Sequence, residues 1–390
     1  MRQDPVQRQG RQVGSGQRYQ AVFRAGSQGV FRADSQEIHR GPTRNRGALE
    51  AVVASVVFTL TLAGCAGLDT PRGVAAHGAQ WELVSSVGTS FGEGVVAGPD
   101  GSLYVLDAHR NIKPNPGGTV FRIDPATGQA TKLMEPNGLA LGLHVDRKGD
   151  LLIAQGAEPE GGRALVRRDM KTGAITLLAD SYGGKRLVGA NDVTTDAAGR
   201  IYFTDARYGG EEPMENPNAV YRVDLDGHVT RISTDILRPN GIEVSPDSRK
   251  LYVAAANIPR IKPNPVGPAV DRFGITMGGV VVYDLDAAGN LSNGRLFYRN
   301  DRLIVDGMGM DTDGNLYLAL HNGAAPPRAG DVVVLDPSGT QIAQLTPPPG
   351  DLPTNLGFGR GADRHSLYMV TGFGWKLYRM QTVREGLYRE

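Results

Sequence analysis

From residue 90 onward, apolar and polar positions fall into a pattern that returns about every fifty residues. A short polar turn rich in Asp and Gly leads into an apolar run: PDGSLYVLD (99–107), DRKGDLLIA (146–154), DAAGRIYFTD (196–205), SPDSRKLYVA (245–254), DTDGNLYLA (311–319) and ADRHSLYMV (362–370). The first apolar residues are Leu103, Leu151, Ile201, Leu251, Leu316 and Leu367, at intervals of 48, 50, 50, 65 and 51 residues. A second half follows in the first five units, beginning at Gly118, Arg163, Asn218, Gly278 and Gly330. It alternates, turns at Asp and Gly, and alternates again, which predicts a hairpin. Four strands per unit at this period predict propeller blades. The sixth unit ends with WKLYRM (375–380), and QWELVSSV (80–87), ahead of the first unit, can supply its missing outer strand. Closure of that kind leaves no free sheet edge. The expected fold is all-β, one six-bladed β-propeller over residues 80–385.

Composition agrees. Gly at 53 and Pro at 24 suit many turns, and a formal net charge of +1 gives no reason to expect nucleic acid as a partner. A single cysteine, Cys65, excludes an intramolecular disulfide and a thiolate zinc site.

The repeat also places chemistry. About ten residues before each landmark stand Glu93, Leu141, Asn191, Asn240, Asp306 and Asn355, at separations of 10, 10, 10, 11, 10 and 12. These positions open the innermost strands, so one residue from each blade converges on the axis at one face. Taken singly, such a position looks like a local irregularity. In RPNGI (238–242), Pro and Asn are poor strand formers, and Asn before Gly is a common turn signal. In a cyclic register the same residues read differently. Two carboxylates and up to three amides, with no thiol or imidazole, suit a hard cation such as Ca²⁺ better than zinc.

GANDVTTDAAGRIYFTDARYGG (189–210), RPNGIEVSPDSRKLYVA (238–254) and VDGMGMDTDGNLYLA (305–319) resemble signature segments of the SMP-30/gluconolactonase/LRE-like family, across the whole propeller. That resemblance implies a divalent metal held by Glu93, Asn191, Asn240 and Asp306, with Ca²⁺ first and Mn²⁺, Mg²⁺ or Zn²⁺ as alternatives. It implies a metal-dependent hydrolase acting on a small molecule, a lactone or related ester. Gly189 stands where family members often carry Arg or Ser, so sugar-acid lactones are not implied.

A cation in the channel would polarise a lactone carbonyl. Asp306 is the candidate general base or direct nucleophile, and both remain open. The second strands return to the same face, so their ends should rim the pocket: Asp107 and His109, Asp205 and Arg207, Asn257, His321 and Thr371. His321 is a candidate acid or base for the leaving alkoxide. Asn191, Asn355 and Arg207 are candidate substrate contacts, with an ion pair that braces the loop as the plainer role for Arg207. His144, inside an inner strand, reads as a satisfied core histidine. IKPNP occurs at 112–116 and 261–265, and reads as loop stiffening. The alternative function is a non-catalytic, metal-stabilised propeller that binds a ligand or protein at the cell envelope. A strictosidine-synthase-like condensing enzyme is the weaker third reading.

The N-terminal part is of another kind. Residues 1–47 are rich in Arg and Gln, and read as disordered or as a mis-called leader. Residues 48–64 carry AVVASVVFTLTLA (51–63) behind Arg44 and Arg46, which fits the core of a signal peptide. LAGC (62–65) resembles a bacterial lipobox, with Cys65 as the lipidated residue and 65–79 as a linker. The expectation is an exported lipoprotein held at a membrane.

Overall fold

A computed structural model describes residues 73–108, 117–156, 162–208, 214–259, 261–262, 264–323 and 330–389. Cys65, the leader, the signal-peptide segment, His109 and the first IKPNP lie outside the described residues.

Six four-stranded antiparallel sheets form the blades, and a two-stranded ribbon, Ser181–Tyr182 with Lys185–Arg186, accompanies them. In chain order the inner strands are Gly92–Ala97, Ala140–Val145, Ala190–Thr195, Pro239–Val244, Ile304–Met310 and Pro353–Phe358. Each packs against the inner strands of its two neighbours, the sixth against the first, so the ring is closed. Closure is made by the segment expected: Glu82–Ser85 is the outer strand of blade 6, pairing Glu82 with Arg379 and Leu83 with Tyr378.

The Asp-rich turns recur for a reason visible in their bonds. Asp196 accepts N–H groups from Ala198 and Arg200 and the hydroxyl of Tyr202; Asp311 does the same for Asp313, Asn315 and Tyr317. One carboxylate thus closes the turn and anchors the second strand to it. Hydrogen bonds of this charged kind contribute about 1.5–3 kcal/mol each. The second strands, where the apolar runs lie, are buried almost throughout, while the outer strand Ile175–Ala179 is largely exposed. The core is therefore a set of apolar clusters between adjacent blades.

The chain does not stop at the last strand. Leu387 N–H donates to Met310 O, and Thr312 N–H donates to Glu385 O, which leads the tail onto the far ends of the inner strands. Tyr388 packs on three inter-blade clusters and gives its hydroxyl to Phe358 O, with Arg360 4.9 Å above its ring. Arg389 donates to Val244 O at 2.6 Å and Ser245 O at 2.9 Å, and lies 3.8 Å from Glu243. The propeller's ordered chain thus reaches beyond residue 385, and its tail closes the channel at the end opposite the strand starts.

Candidate active site

All six inner strands break their pairing at or beside the position that opens toward the axis. The register skips between Glu93 and Val95, Ala140 and Gly142, Ala190 and Val193, Pro239 and Ile242, Val305 and Met308, and Pro353 and Asn355. A bulge turns a side chain out of the alternating ladder and leaves its residue without full ladder pairing. This is why Asn240 and Asp306, poor strand residues, are tolerated where they stand.

The following residue sets how closely the strands approach. It is Gly94, Gly142, Gly241 and Gly307 in four blades. A Cβ on Gly241 would lie 2.5 Å from Asp306 O and 3.1 Å from the Cα of Gly307; one on Gly142 would lie 2.6 Å from Asn191 O. Glycine here lets each ring strand touch the next. Blade 3 carries Asp192 instead. Its carboxylate accepts the N–H of Ile242 from blade 4 at 3.1 Å and that of its own neighbour Val193 at 2.9 Å. Thr204 extends the tie, accepting from Asp192 N–H and donating to Asn240 O at 2.7 Å. Burial pushes the Asp192 carboxyl up to about 7, against the pull of the two N–H groups. Sequence reading passed over Asp192, although its departure from glycine at that register was visible.

The ring residues themselves are Glu93, Asn191, Asn240, Asp306 and Asn355, all 5–7% exposed, with Leu141 at 4%. They follow one another around the axis, so Leu141 of blade 2 faces Asp306 of blade 5 across it. The side chains of Asn191 and Asn240 have no hydrogen-bond partner among the described residues. Neither amide is among the fully enclosed unpartnered polar atoms, so both reach the open channel, where water or an ion can meet them. Among the described residues no three His, Cys, Asp or Glu side chains gather as a metal-holding group. The ring therefore offers two carboxylates and amide oxygens, a donor set that fits a hard cation. Asn355 differs: its Oδ1 accepts the Leu356 N–H at 2.8 Å, and its amide packs on Gly307, so its NH₂ is what it can offer a ligand.

His321 joins this ring through Asp306. Its Nδ1 accepts the Gly323 N–H at 2.9 Å, which leaves Nε2 protonated and donating to Asp306 Oδ2 at 2.7 Å. Both ring nitrogens are committed, and the imidazole holds the carboxylate from behind. Asp306 Oδ1 has no partner among the described residues.

Of the remaining rim residues, several brace the ring. Asp107 accepts the N–H groups of Thr89, Ser90 and Phe91, just before Glu93; Asp205 accepts those of Val188 and Gly189, just before Asn191. Burial raises Asp205 to about 6. Arg207 is buried, and its backbone N–H donates to Asn218 Oδ1. Asn257 donates to Ile275 O and Asp271, and Thr371 accepts from the N–H of Lys376. Arg238 donates to Ile261 O and Lys262 O, which ties the first two residues of the second IKPNP to the strand that carries Asn240. His144 lies beyond the ring, near the tail. It bonds Thr195 at 3.0 Å, and burial, with Arg389 nearby, lowers it to about 3, as a satisfied core histidine. It lines a cavity of ≈ 60 Å³ with Asp192, Glu243, Tyr388 and Arg389.

Residues 91–373 match the SMP-30/Gluconolactonase/LRE-like region. The chain belongs to that family. Within it, a gluconolactonase of Zymomonas mobilis is 29% identical, with 77% of this chain and 80% of the relative covered. A pentonolactonase of Haloferax volcanii is 28% identical over 73% and 82%, and the diisopropyl-fluorophosphatase of Loligo vulgaris 25% identical over 68% and 81%. Among solved structures, a Xanthomonas campestris gluconolactonase superposes with a TM-score of 0.61 at 23% identity, covering 78% of this chain and 90% of its own. A calcium-binding regucalcin of Agrobacterium tumefaciens follows at 0.57 and 20%, over 80% and 98%. The structural matches bear out the propeller, and the lactonase relatives make this SMP-30/gluconolactonase chain a member of a lactonase-type hydrolase family.

Proposed function

We propose that the protein is a divalent-cation-dependent hydrolase that opens a lactone or related ester at the ring end of its channel. The observation that carries this reading is the ring itself. Two amides that face the channel without protein partners among the described residues stand with two carboxylates on bulged strand starts, and one of those carboxylates is held from behind by a histidine.

Glu93, Asn191, Asn240 and Asp306 would hold the cation, Ca²⁺ in the first instance, whose chemistry when bound is to polarise the carbonyl. Asp306 attacks the carbonyl carbon directly or takes a proton from the attacking water through Oδ1. His321 fixes the Asp306 rotamer as an orienting donor, the reading that its hydrogen bonds favour over an acid or base for the leaving alkoxide. The Asn355 NH₂ donates to substrate oxygen, and Arg207 supplies positive charge at the rim. The bulges, with a glycine after Glu93, Asn240 and Asp306 and the Asp192 tie after Asn191, fix these groups on closely packed strand starts, so little reorganisation is needed during the reaction.

The test is turnover of a lactone and ester panel with added calcium, alongside calcium binding measured by calorimetry. Wild type should bind calcium and open at least one lactone, and chelation should abolish both. Asp306→Asn should lower kcat by about 10²–10⁴-fold, the range for a lost general base. Calcium binding with no turnover of any lactone, ester or phosphotriester would end the enzyme reading in favour of a binding propeller.

We also infer that the chain is exported and lipid-anchored through Cys65, on the strength of the basic flank, apolar run and LAGC sequence. A palmitate analogue should label the wild type and spare Cys65→Ser; an unlabelled wild type would refute the anchor.

A further inference from the structure

The ring is polar on five of its six positions, and the sixth has a setting of its own. Leu141 is surrounded by Phe91, Leu139 and Ala108 in a separate buried apolar cluster. These residues come from the ring ends of blades 1 and 2: Phe91 is two residues before Glu93, Leu139 two before Leu141, and Ala108 follows the returning strand. Blade 6 adds Phe373, which stands edge-on to Phe91 with ring centroids 5.0 Å apart and is 42% exposed. Three consecutive blades thus give one side of the channel mouth an apolar lining, whose blade 2 end, Leu141, lies across the axis from Asp306.

Of the polar groups flanking this side, Asp107 and Asp351 are already engaged. Both oxygens of Asp107 accept backbone N–H groups of the loop before Glu93, and Asp351 bonds Lys376 and Tyr378. At Gly189, on the far flank, there is no side chain to meet a hydroxyl. A polyhydroxylated ring placed with its carbonyl in the ring of oxygens would bury hydroxyls against Leu141 and the two phenylalanines, at the cost of their water.

We propose that the substrate is a lactone or ester carrying an alkyl or aryl substituent, which lies against Leu141, Phe91 and Phe373 while Asp306 acts from blade 5, across the axis from Leu141. This rests on the hydrolase reading of the site and names its substrate class. Each methylene laid on the wall should raise kcat/KM about fourfold, the hydrophobic gain of one buried CH₂.

The experiment compares γ-lactones with side chains of none, two, four and six carbons, and gluconolactone, on the full-length protein with calcium present. The same side chains on γ-lactams, which resist opening, give Kd by calorimetry. Wild type should show rising kcat/KM and falling Kd along the series, with gluconolactone at least tenfold below the longest alkyl lactone. Leu141→Ser and Phe373→Ala should both flatten the slope; Phe373 is exposed, so its variant tests the wall without threatening the fold. A flat series in wild type, a preference for gluconolactone, or a slope unchanged in both variants overturns the assignment. Absence of turnover on every member overturns the hydrolase reading beneath it, and is told apart from the other outcomes by that silence.

Discussion

The sharpest consequence of the ring geometry is that one methyl group at Gly241 should damage it. The Cβ of an alanine would sit 2.5 Å from Asp306 O, and 3.1 Å from both the Gly307 Cα and the Met308 Cγ. Relief requires blades 4 and 5 to part by roughly 1 Å, since ordinary contact begins near 3.5 Å. The nearest atom is the backbone oxygen of Asp306, which no side-chain rotation can move aside. Overpacking of this kind costs about 1–3 kcal/mol. The strain falls between Asn240 and Asp306, so calcium affinity should drop by about tenfold or more as well. Gly117→Ala is the control: its added Cβ would meet nothing nearer than Gly138 O at 3.9 Å, without a left-handed φ. That substitution should be neutral or stabilise by up to about 1 kcal/mol through the unfolded chain. Urea unfolding followed by tryptophan fluorescence gives the stabilities, and calorimetry the calcium affinity. If Gly241→Ala matches the control in midpoint and binds calcium within twofold of wild type, the close approach of ring strands is not what the glycine serves.

Other expectations follow from the same contacts. Asn240→Leu removes a buried amide that has no partner among the described residues, so stability should hold within about 1 kcal/mol while calcium affinity collapses; a large loss of stability with affinity intact would mark Asn240 as structural. His144 is held neutral when folded, down to about pH 3, whereas the unfolded imidazole takes a proton below about pH 6.5. Its stabilising contribution is therefore present above pH 6.5 and declines as pH falls, by about 2 kcal/mol at pH 5. His144→Gln should lack that part of the slope in urea titrations at pH 7.5 and 5, and equal slopes would count against it. Deleting residues 387–390 removes the Leu387 and Arg389 bonds and the Tyr388 ring from three clusters, and should cost at least about 3–5 kcal/mol. An unchanged unfolding midpoint would show the tail to be ornamental. His321→Gln should lower kcat more than it raises KM, because it disturbs the aim of Asp306 and not the ring's grip on substrate; a change confined to KM would refute the orienting role.

The architecture is legible in the chain alone. A propeller blade is a local unit, with strand, turn and strand in succession, so its period, its Asp turns and its apolar second strands are written in neighbouring residues. The closing strand at 82–85 was legible for the same reason, since blade 6 was one strand short. The ring residues were legible because a cyclic repeat carries one position in each unit to the same place. Packing settled the relations between units, which no single repeat contains. It put the ring residues on bulges, made the next glycine the contact between blades, and gave Asp192 to the neighbouring strand through Ile242. It turned His321 into the support of Asp306, and it carried residues 387–389 into the far end of the channel. Asn240 shows the division most plainly. Its sequence neighbours say only that Pro and Gly interrupt a strand. That its amide stands buried and without a partner among the described residues, beside Asp306 on the next blade, is set by packing between segments far apart in the chain.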